Sequence, residues 1–232
     1  MLYLVGTPIG NLDDITFRAL QTLKDVDYIF AENTRHTKNL LNRFEIKKIV
    51  YIYNECNKRH QIENILNLIS NENKKIAIVT DAGMPCVSDP GYELVEAAYL
   101  KDIKVTVIPG VSAVTTAVSI SGISMKRFAY EGFLPKKKGR QTLFNKLKLE
   151  ERNIIIFESP NRVIKTLNDI NKYLGNRFVI IARELTKIYE EVITGYSEEL
   201  FEKYKDHKFK GEIVLIVKTS EQDKCTKIDL IQ

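Results

Sequence analysis

The sequence predicts an α/β fold made of two domains. Short apolar runs typical of buried strands alternate with segments whose apolar residues recur at helical spacing. Loops rich in Gly, Pro, Asp and Ser follow several of the runs. The alternation pauses at residues 121–124 and then starts again. We therefore expect an N-terminal α/β domain over residues 1–120 and a C-terminal α/β domain over residues 121–232.

The first domain is predicted to hold five strands with helices between them. A helix should open near residues 13–16, with Asp14 or Thr16 as its N-cap. This order favours a mainly parallel sheet covered by helices on both faces. The expected strands are residues 2–5, 28–31, 49–53, 75–79 and 105–108, and further helices are expected around 40–44 and at 58–70, 92–98 and 113–121.

The second domain repeats the pattern with five more strand candidates. Between the first two lies the strongest charge run of the chain, at residues 135–140. Glycine and proline in this run predict a mobile surface loop. The expected strands are residues 128–134, 153–157, 178–182, 189–194 and 211–219, and the expected helices are residues 163–174 and 197–205.

Composition describes an ordinary globular chain of 232 residues with 44% hydrophobic content. No apolar run approaches the ~20 residues that a membrane span needs, and the first apolar run is too short for a signal peptide. The three cysteines are far apart and odd in number, so free thiols in a reducing cytoplasm are expected. No metal site is expected, because the three histidines are not paired at ligand spacing. These residues are Cys56, Cys86 and Cys225, and His36, His60 and His207.

Positive charge is concentrated in the second half of the chain. Residues 1–110 carry 13 Lys/Arg and 14 Asp/Glu, whereas residues 111–232 carry 22 and 16. A basic half is typical of a protein with a polyanionic partner such as nucleic acid. A lysine-rich surface that is merely solvated explains the charge equally well.

The loop at residues 80–91, Thr-Asp-Ala-Gly-Met-Pro-Cys-Val-Ser-Asp-Pro-Gly, follows the most apolar strand of the first domain. Ligands of open α/β sheets bind at the carboxyl ends of the strands. The glycines allow a ligand to approach the backbone, and Asp81 can accept hydrogen bonds from it. Polar or glycine-bearing loops also follow other strands, at residues 6–11, 32–38 and 109–113, but none matches a dinucleotide or P-loop motif.

Seven short motifs, taken together and in order, resemble the tetrapyrrole methylase superfamily, and most of all its members that methylate small-subunit ribosomal RNA. The motifs lie at residues 2–16, 31–41, 80–91, 109–113, 131–135, 157–162 and 182–191. Many of those members continue into a small C-terminal domain, whereas this sequence ends at Gln232. The resemblance implies two α/β domains with S-adenosyl-L-methionine in the cleft between them, and a homodimer. It implies 2′-O-methylation of a cytidine ribose in 16S rRNA, free or within the 30S subunit.

The resemblance also implies cofactor contacts, which fall on eight positions. They are Ile9, Asp81, Gly83, Met84, Ser112, Ala113, Ala182 and Gly211. Other members of the superfamily read Gly-Asp-Pro where this chain has Asp81, Ala82 and Gly83, so the backbone of this loop is expected to differ in detail.

Transfer of a methyl group to a ribose hydroxyl depends mainly on positioning and gains from a general base. Weak candidates for the base are Glu32, His36, Glu158 and Glu184, each of which could equally be a cap or an ion-pair partner. Basic side chains should bind RNA phosphates, and a base could stack on Phe133 or Tyr130. The basic candidates are Arg35, Lys136, Lys137, Lys138, Arg140, Arg162, Arg183 and Lys187.

Two other functions stay open on the sequence alone. A tetrapyrrole methyltransferase would also benefit from a basic site, because its substrate carries carboxylates. A non-catalytic RNA-binding protein could retain the same fold. Binding of S-adenosyl-L-methionine would separate this last possibility from the two enzymes.

Overall fold

The structure is a computed structural model that describes residues 1–219. It divides into two compact units, Met1–Ala113 and a second unit that begins at Val114. The end of the expected C-terminal domain and Cys225 lie outside the described residues. The expected domain limits therefore stay a prediction.

The first unit contains a five-stranded sheet in which every pairing is parallel, in the order β3-β2-β4-β1-β5. The predicted parallel arrangement is confirmed for this sheet. All five carboxyl ends lie at one edge, and β4 lies in the middle. The strands are β1 Leu2–Val5, β2 Tyr28–Ala31, β3 Ile49–Ile52, β4 Ile76–Val79 and β5 Val105–Ile108, and the helices are α1 Phe17–Asp25, α2 Thr34–Arg43, α3 Lys58–Ser70 and α4 Tyr92–Tyr99.

Helices cover both faces of this sheet, as the sequence predicts. All four residues of β4 are buried. Ile76 and Ile78 belong to one hydrophobic cluster, whereas Ala77 and Val79 belong to another. Because neighbouring strand residues point to opposite faces, the two clusters are the two sides of the sheet.

Side-chain caps fix where the helices around the site begin. The Thr16 hydroxyl accepts a hydrogen bond from the backbone N–H of Ala19, 3.0 Å away, so Thr16 is the cap of α1. Asp14 belongs instead to the short 3-10 helix Leu12–Asp14. The Asn33 side chain caps α2 by accepting from Arg35 N. This cap fixes the direction in which the chain leaves β2.

The second unit contains a mixed sheet in the order β6-β7-β10-β8-β9. Only β6 and β7 pair in parallel, while β10 runs antiparallel to β7 and β8, and β9 runs antiparallel to β8. The parallel pattern of the first unit is therefore not repeated. The elements are α5 Ala113–Ile120, β6 Phe128–Phe133, α6 Arg140–Leu147, β7 Asn153–Glu158, α7 Val163–Leu174, β8 Phe178–Arg183, β9 Glu191–Tyr196, α8 Ser197–Tyr204 and β10 Ile213–Val217.

Helices α6, α7 and α8 pack on one face of the mixed sheet. Their shared cluster includes Phe144, Leu167 and Leu200, packed against Ile156 and Leu215 of the strands. Helix α6 was not expected from the sequence. It begins shortly after the three lysines, and its first residue, Arg140, is buried.

No helix among residues 1–219 is long and apolar enough to cross a membrane. Of the three cysteines, Cys56 and Cys86 are free thiols.

Candidate functional site

The loops after β1 and β4 are joined by main-chain hydrogen bonds. Thr7 N donates to Gly83 O at 2.9 Å, and Gly83 N donates to Thr7 O at 3.1 Å. The Thr7 hydroxyl also donates to the carbonyl of Thr80 at 3.2 Å. These bonds fix the start of the 80–91 loop against the first loop of the chain. Thr7 was not among the residues expected to form the site.

The loops after β1 and β5 approach each other so closely that only glycine fits. A Cβ atom on Gly6 would lie 2.7 Å from Gly110 N, and one on Gly110 would lie 3.0 Å from Gly6 Cα. The backbone N–H of Gly110 donates to the Met84 sulfur at 3.3 Å. Met84, expected as a cofactor contact, therefore links the loops after β4 and β5.

Two non-glycine residues of the 80–91 loop have backbone dihedrals that are rare for their type. Cys86 has φ 69° and Ser88 has φ 66°. Non-glycine residues with positive φ persist where the surroundings hold them, and they cluster at ligand sites. A Cβ on Gly91 would lie 2.7 Å from the Cys86 sulfur, so this turn also requires glycine.

Three carboxylates gather at the ends of β2 and β4. Glu32 accepts a hydrogen bond from the backbone N–H of Asp81, and Asp81 Oδ2 lies 3.4 Å from His36 Nδ1. Burial raises the pKa of Glu32, and the negative charge of Asp81 raises it further. Burial raises the pKa of Asp89 to about 6, and the negative charge of Glu32 contributes to this rise. A hydrogen bond with Thr80 acts in the opposite direction and lowers the pKa. The three carboxylates are therefore close enough for their charges to act on one another.

Asp89 was not among the predicted site residues. The available signal was its position beside Ser88 and Pro90 in the same loop. The sequence did not show that the carboxylate folds back toward Glu32.

The other expected cofactor contacts divide between the two units. In the first, Ile9 is buried, and its Cγ2 would lie 3.6 Å from a Cβ on Gly83. Ser112 ends the short loop after β5, and Ala113 begins the next helix. In the second, Ala182 is fully buried in β8, and Gly211, with φ +85°, allows the Glu184 side chain to pass where a Cβ would be.

Arg140 does not have the exposed position expected for a phosphate contact. Only 6% of its surface is exposed. Its guanidinium donates to Asp169 at 2.7 Å, to the Thr166 hydroxyl at 2.8 Å and to the carbonyl of Pro135 at 3.2 Å. The prediction that Arg140 binds RNA is therefore corrected, because its donors are engaged inside the second unit.

Glu158 is equally buried and does not fit the role of a general base. Its carboxylate forms an ion pair with Arg162 at 2.6 Å and accepts from the Thr166 hydroxyl at 2.7 Å. Arg162 also donates to the carbonyl of Leu134 at 2.8 Å. Both residues, expected at an RNA or catalytic site, instead belong to the buried network around Arg140.

Glu184 and Lys187 build the turn between β8 and β9. Lys187 Nζ lies 2.8 Å from Glu184 and 2.9 Å from Glu212. Burial opposes ionisation of Glu184, but hydrogen bonds from Lys187 and from the backbone of Glu212 lower its pKa. A lowered pKa makes Glu184 a weaker base, and its carboxylate is already bound, so both observations argue against a role as general base. Arg183 pairs with Glu191 at 3.0 Å.

Four of the eight basic candidates are exposed and form no ion pair within residues 1–219: Arg35, Lys136, Lys137 and Lys138. Arg35 lies in the first turn of α2, which follows β2, and the three lysines lie in the segment between β6 and α6. Of the candidate bases, only Glu32 and His36 stand with Asp81 at the carboxyl edge of the first sheet.

Solved structures of tetrapyrrole-pathway enzymes share this fold. A cobalamin biosynthetic enzyme, cobalt precorrin-4 methyltransferase, is similar with a TM-score of 0.71 at 15% identity, covering 93% of each chain. Uroporphyrin-III-C-methyltransferase from Thermus thermophilus has a TM-score of 0.66 at 18% identity, covering 96% of each chain. The expected fold of two α/β domains is confirmed.

Curated relatives are much closer in sequence, and three of them carry the name ribosomal RNA small subunit methyltransferase I. The protein from Thermotoga maritima is 49% identical over 95% of this chain and 99% of its own length. Those from Halalkalibacterium halodurans and Escherichia coli O157:H7 are 48% and 44% identical, over 93% and 96% of this chain and 75% and 80% of their own lengths. The family Tetrapyrrole (Corrin/Porphyrin) Methylases matches residues 1–200. A match over that much of the sequence, on a fold that the solved enzymes share, means that the chain belongs to the tetrapyrrole methylase family.

Proposed function

We propose that this protein transfers a methyl group from S-adenosyl-L-methionine to the 2′-hydroxyl of a cytidine ribose in small-subunit ribosomal RNA. The observation that carries the proposal is the close similarity to relatives named ribosomal RNA small subunit methyltransferase I, up to 49% identical over nearly the whole chain. The enzyme could act on this substrate as free 16S rRNA or within the assembled 30S subunit.

The three carboxylates at the edge of the first sheet, those of Glu32, Asp81 and Asp89, suit a cationic cofactor. S-adenosyl-L-methionine carries a sulfonium and an ammonium group, and its bound form would supply the electrophilic methyl group. Asp81 would accept hydrogen bonds from it. Burial is the main cause of the raised pKa values of Glu32 and Asp89, and the charges of their neighbouring carboxylates add to it. A cationic ligand would favour the ionised form of both groups.

Glycines and small residues around Asp81 would let the cofactor approach the backbone. Gly83 offers open space, since a Cβ there would meet nothing closer than 3.6 Å. Ile9 would line the apolar side, and Ser112 and Ala113 would contribute from the loop after β5. Met84 would act indirectly, by holding Gly110. Ala182 and Gly211 remain the proposed contacts from the second unit.

The chain's residues would act mainly by holding the ribose hydroxyl in line with the methyl group and excluding water. Between the two remaining candidate bases, Glu32 is favoured because burial raises its pKa. A base works best when its pKa approaches the working pH. Glu32 would then take the proton from the 2′-hydroxyl as the new C–O bond forms and the bond between the methyl carbon and the cofactor sulfur breaks, which would leave S-adenosyl-L-homocysteine.

The fold likeness to cobalt precorrin-4 methyltransferase favours a second candidate, methylation of a tetrapyrrole. The same purified protein can be offered a uroporphyrinogen and small-subunit rRNA, with a labelled methyl donor. Label in the tetrapyrrole alone would replace the proposal with this second function.

The proposal implies a cytoplasmic protein, because small-subunit rRNA is located there. It is tested by mapping 2′-O-methylation across small-subunit rRNA from cells with the gene, without it, and with the Asp81→Ala gene. We expect one cytidine to lose its methyl group in the last two. An unchanged map would contradict the proposed substrate.

A further inference from the structure

The segment that joins β6 to α6 presents an aromatic ring beside a group of cations. Phe133, the last residue of β6, is 58% exposed. Lys136, Lys137 and Lys138 follow it and are exposed. None of the three lysines forms an ion pair with any other part of residues 1–219, so their three charges face solvent.

An irregularity in β6 turns the Phe133 side chain outward. Strand β6 lies at the edge of its sheet, and its register with β7 shifts between Tyr130 and Phe133. Gly132, within the shift, has φ 59°. Bulges of this kind redirect a side chain, often next to a functional site.

Two further aromatic rings support Phe133. The Phe157 ring lies edge-to-face with Phe133 at 5.6 Å and with Tyr130 at 5.1 Å. The support fixes the orientation of Phe133 but leaves more than half of the residue uncovered. A single exposed phenylalanine is ordinary, but this one is held by edge-to-face ring contacts and is followed in sequence by three lysines that form no ion pair within residues 1–219.

A buried polar network holds both ends of the lysine segment. Arg162 binds the carbonyl of Leu134, and Arg140 binds the carbonyl of Pro135. Arg140 is also the first residue of α6, so one side chain closes the segment from its far end. The lysines therefore extend from an anchored base, and the mobility that the sequence predicts for this loop stays a prediction.

Charge within the network is balanced internally. Its two guanidiniums, Arg140 and Arg162, are matched by the carboxylates of Glu158 and Asp169. The network therefore neutralises none of the lysine charge. It presents that charge at a fixed place beside Phe133.

We propose that Phe133 and the three lysines form one contact surface for single-stranded RNA: an unpaired base stacks on Phe133, and the lysines neutralise the phosphates beside it. The proposal rests on the RNA substrate proposed above and adds the residues that would hold it. Stacking on an aromatic ring and phosphate neutralisation are the two elements of single-strand binding.

The chain contains no tryptophan, so Phe133→Trp introduces a single fluorescent reporter at the proposed stacking position. We expect small-subunit rRNA, freed of protein, to quench this tryptophan over the concentration range in which it binds. The matched control is Phe17→Trp, since Phe17 is 93% exposed on α1. Quenching of the control alone, or of neither variant while RNA binds, would overturn the stacking role.

A salt series separates the contribution of the ring from that of the lysines. Changing Lys136, Lys137 and Lys138 together to Ala should lower the log–log salt slope of binding by about 2–3. Phe133→Leu should weaken binding about five- to a hundredfold and leave the slope unchanged. A charge-matched control replaces Lys146, Lys165 and Lys208, which are exposed elsewhere in the second unit.

Equal slopes for the two triple variants would overturn the lysine role, and an unaffected Phe133→Leu would overturn the stacking role. If the unaltered protein still methylates rRNA in these cases, only this contact surface is wrong. If the unaltered protein neither binds nor methylates rRNA, the proposed function fails as well, and this surface with it.

Discussion

Asp81 shows how a single side chain can be tied to cofactor binding. Its carboxylate lies beside Glu32 and His36, on a loop fixed by Thr7 and Gly83. Asp81→Ala should remove hydrogen bonds to the cofactor, worth on the order of 1–3 kcal/mol. Calorimetry should therefore show affinity for S-adenosyl-L-methionine reduced about five- to a hundredfold. Asp206→Ala removes an exposed aspartate of the second unit and should leave the affinity unchanged. Equal affinity in both variants would remove Asp81 from the site.

Asp89 allows a test that depends on pH. Its pKa is about 6 in the folded chain and 3.8 for an unperturbed aspartate. Between these two values the folded chain binds more protons than the unfolded chain. The free energy of unfolding therefore falls as pH rises from 4 to 6, and the loss persists above pH 6.

Asn cannot ionise, so Asp89→Asn should unfold at higher urea than the unaltered protein at pH 8 and at the same urea at pH 4. The gain at pH 8 should be on the order of 1 kcal/mol, because Asp89 is partly exposed and solvent screens its charge. A difference that is the same at both pH values would show that charge at Asp89 is not its cause.

At the scale of the element, the sequence predicted all ten strands of residues 1–219 but not how all of them pair. Apolar runs identify β4 and β10 readily, since every residue of each is buried. Strand direction in the second sheet is not encoded in those runs. The antiparallel direction of β9 follows from its short turn after β8, where Glu184 and Thr186 have φ 51° and 69° and Glu190 accepts from Thr186 N. The same turn delays β9 to Glu191, two residues after the expected start.

The basic segment shows why site residues are harder to predict than strands. By sequence, Arg140 is the fourth cation of a run of five positions. Its burial depends on Thr166 and Asp169, 26 and 29 residues further along the chain. Composition cannot reveal such partners, so the sequence predicts for Arg140 the same RNA-binding role as for the lysines that precede it. Helix α6 was missed because the charge run obscured its start.

Arg140→Lys tests the network as a structural element. Lysine keeps the charge but cannot form the separate bonds to Thr166 and Pro135. The free energy of unfolding should fall by about 1–3 kcal/mol, because buried acceptors lose their donors. Affinity for small-subunit rRNA should fall as well, since the lysine segment loses its anchor. Urea unfolding and RNA titration of one preparation measure both.

The matched control is Arg152→Lys. Arg152 pairs with Glu150 at the surface, 2.7 Å away, with 44% of its side chain exposed. Exposed pairs contribute little to stability. An Arg140→Lys variant as stable as this control would show that the buried bonds are dispensable.

At the scale of the whole molecule, the chain exposes apolar side chains on an edge strand of its first sheet. Strand β3 is unpaired on one side, and Ile49, Tyr51 and Ile52 are 57%, 40% and 45% exposed. An exposed apolar edge strand is a template for association. Together with the two-fold pairing that is commonest among soluble proteins, this favours a homodimer. Light scattering at micromolar concentration should give twice the chain mass of 26.7 kDa.

Salt dependence would show what holds such a dimer together. Each copy carries a formal net charge of +5, so two copies repel one another. If apolar burial drives association, added salt screens the repulsion and the dimer should persist or strengthen between 0.1 and 0.5 M, about the range over which the Debye length shrinks below 10 Å. RNA binding should weaken over the same range, because salt opposes the release of counterions. A single-chain mass at every salt concentration would rule out the dimer, and dissociation on adding salt would mean that ion pairs, not the apolar strand, hold the two copies together.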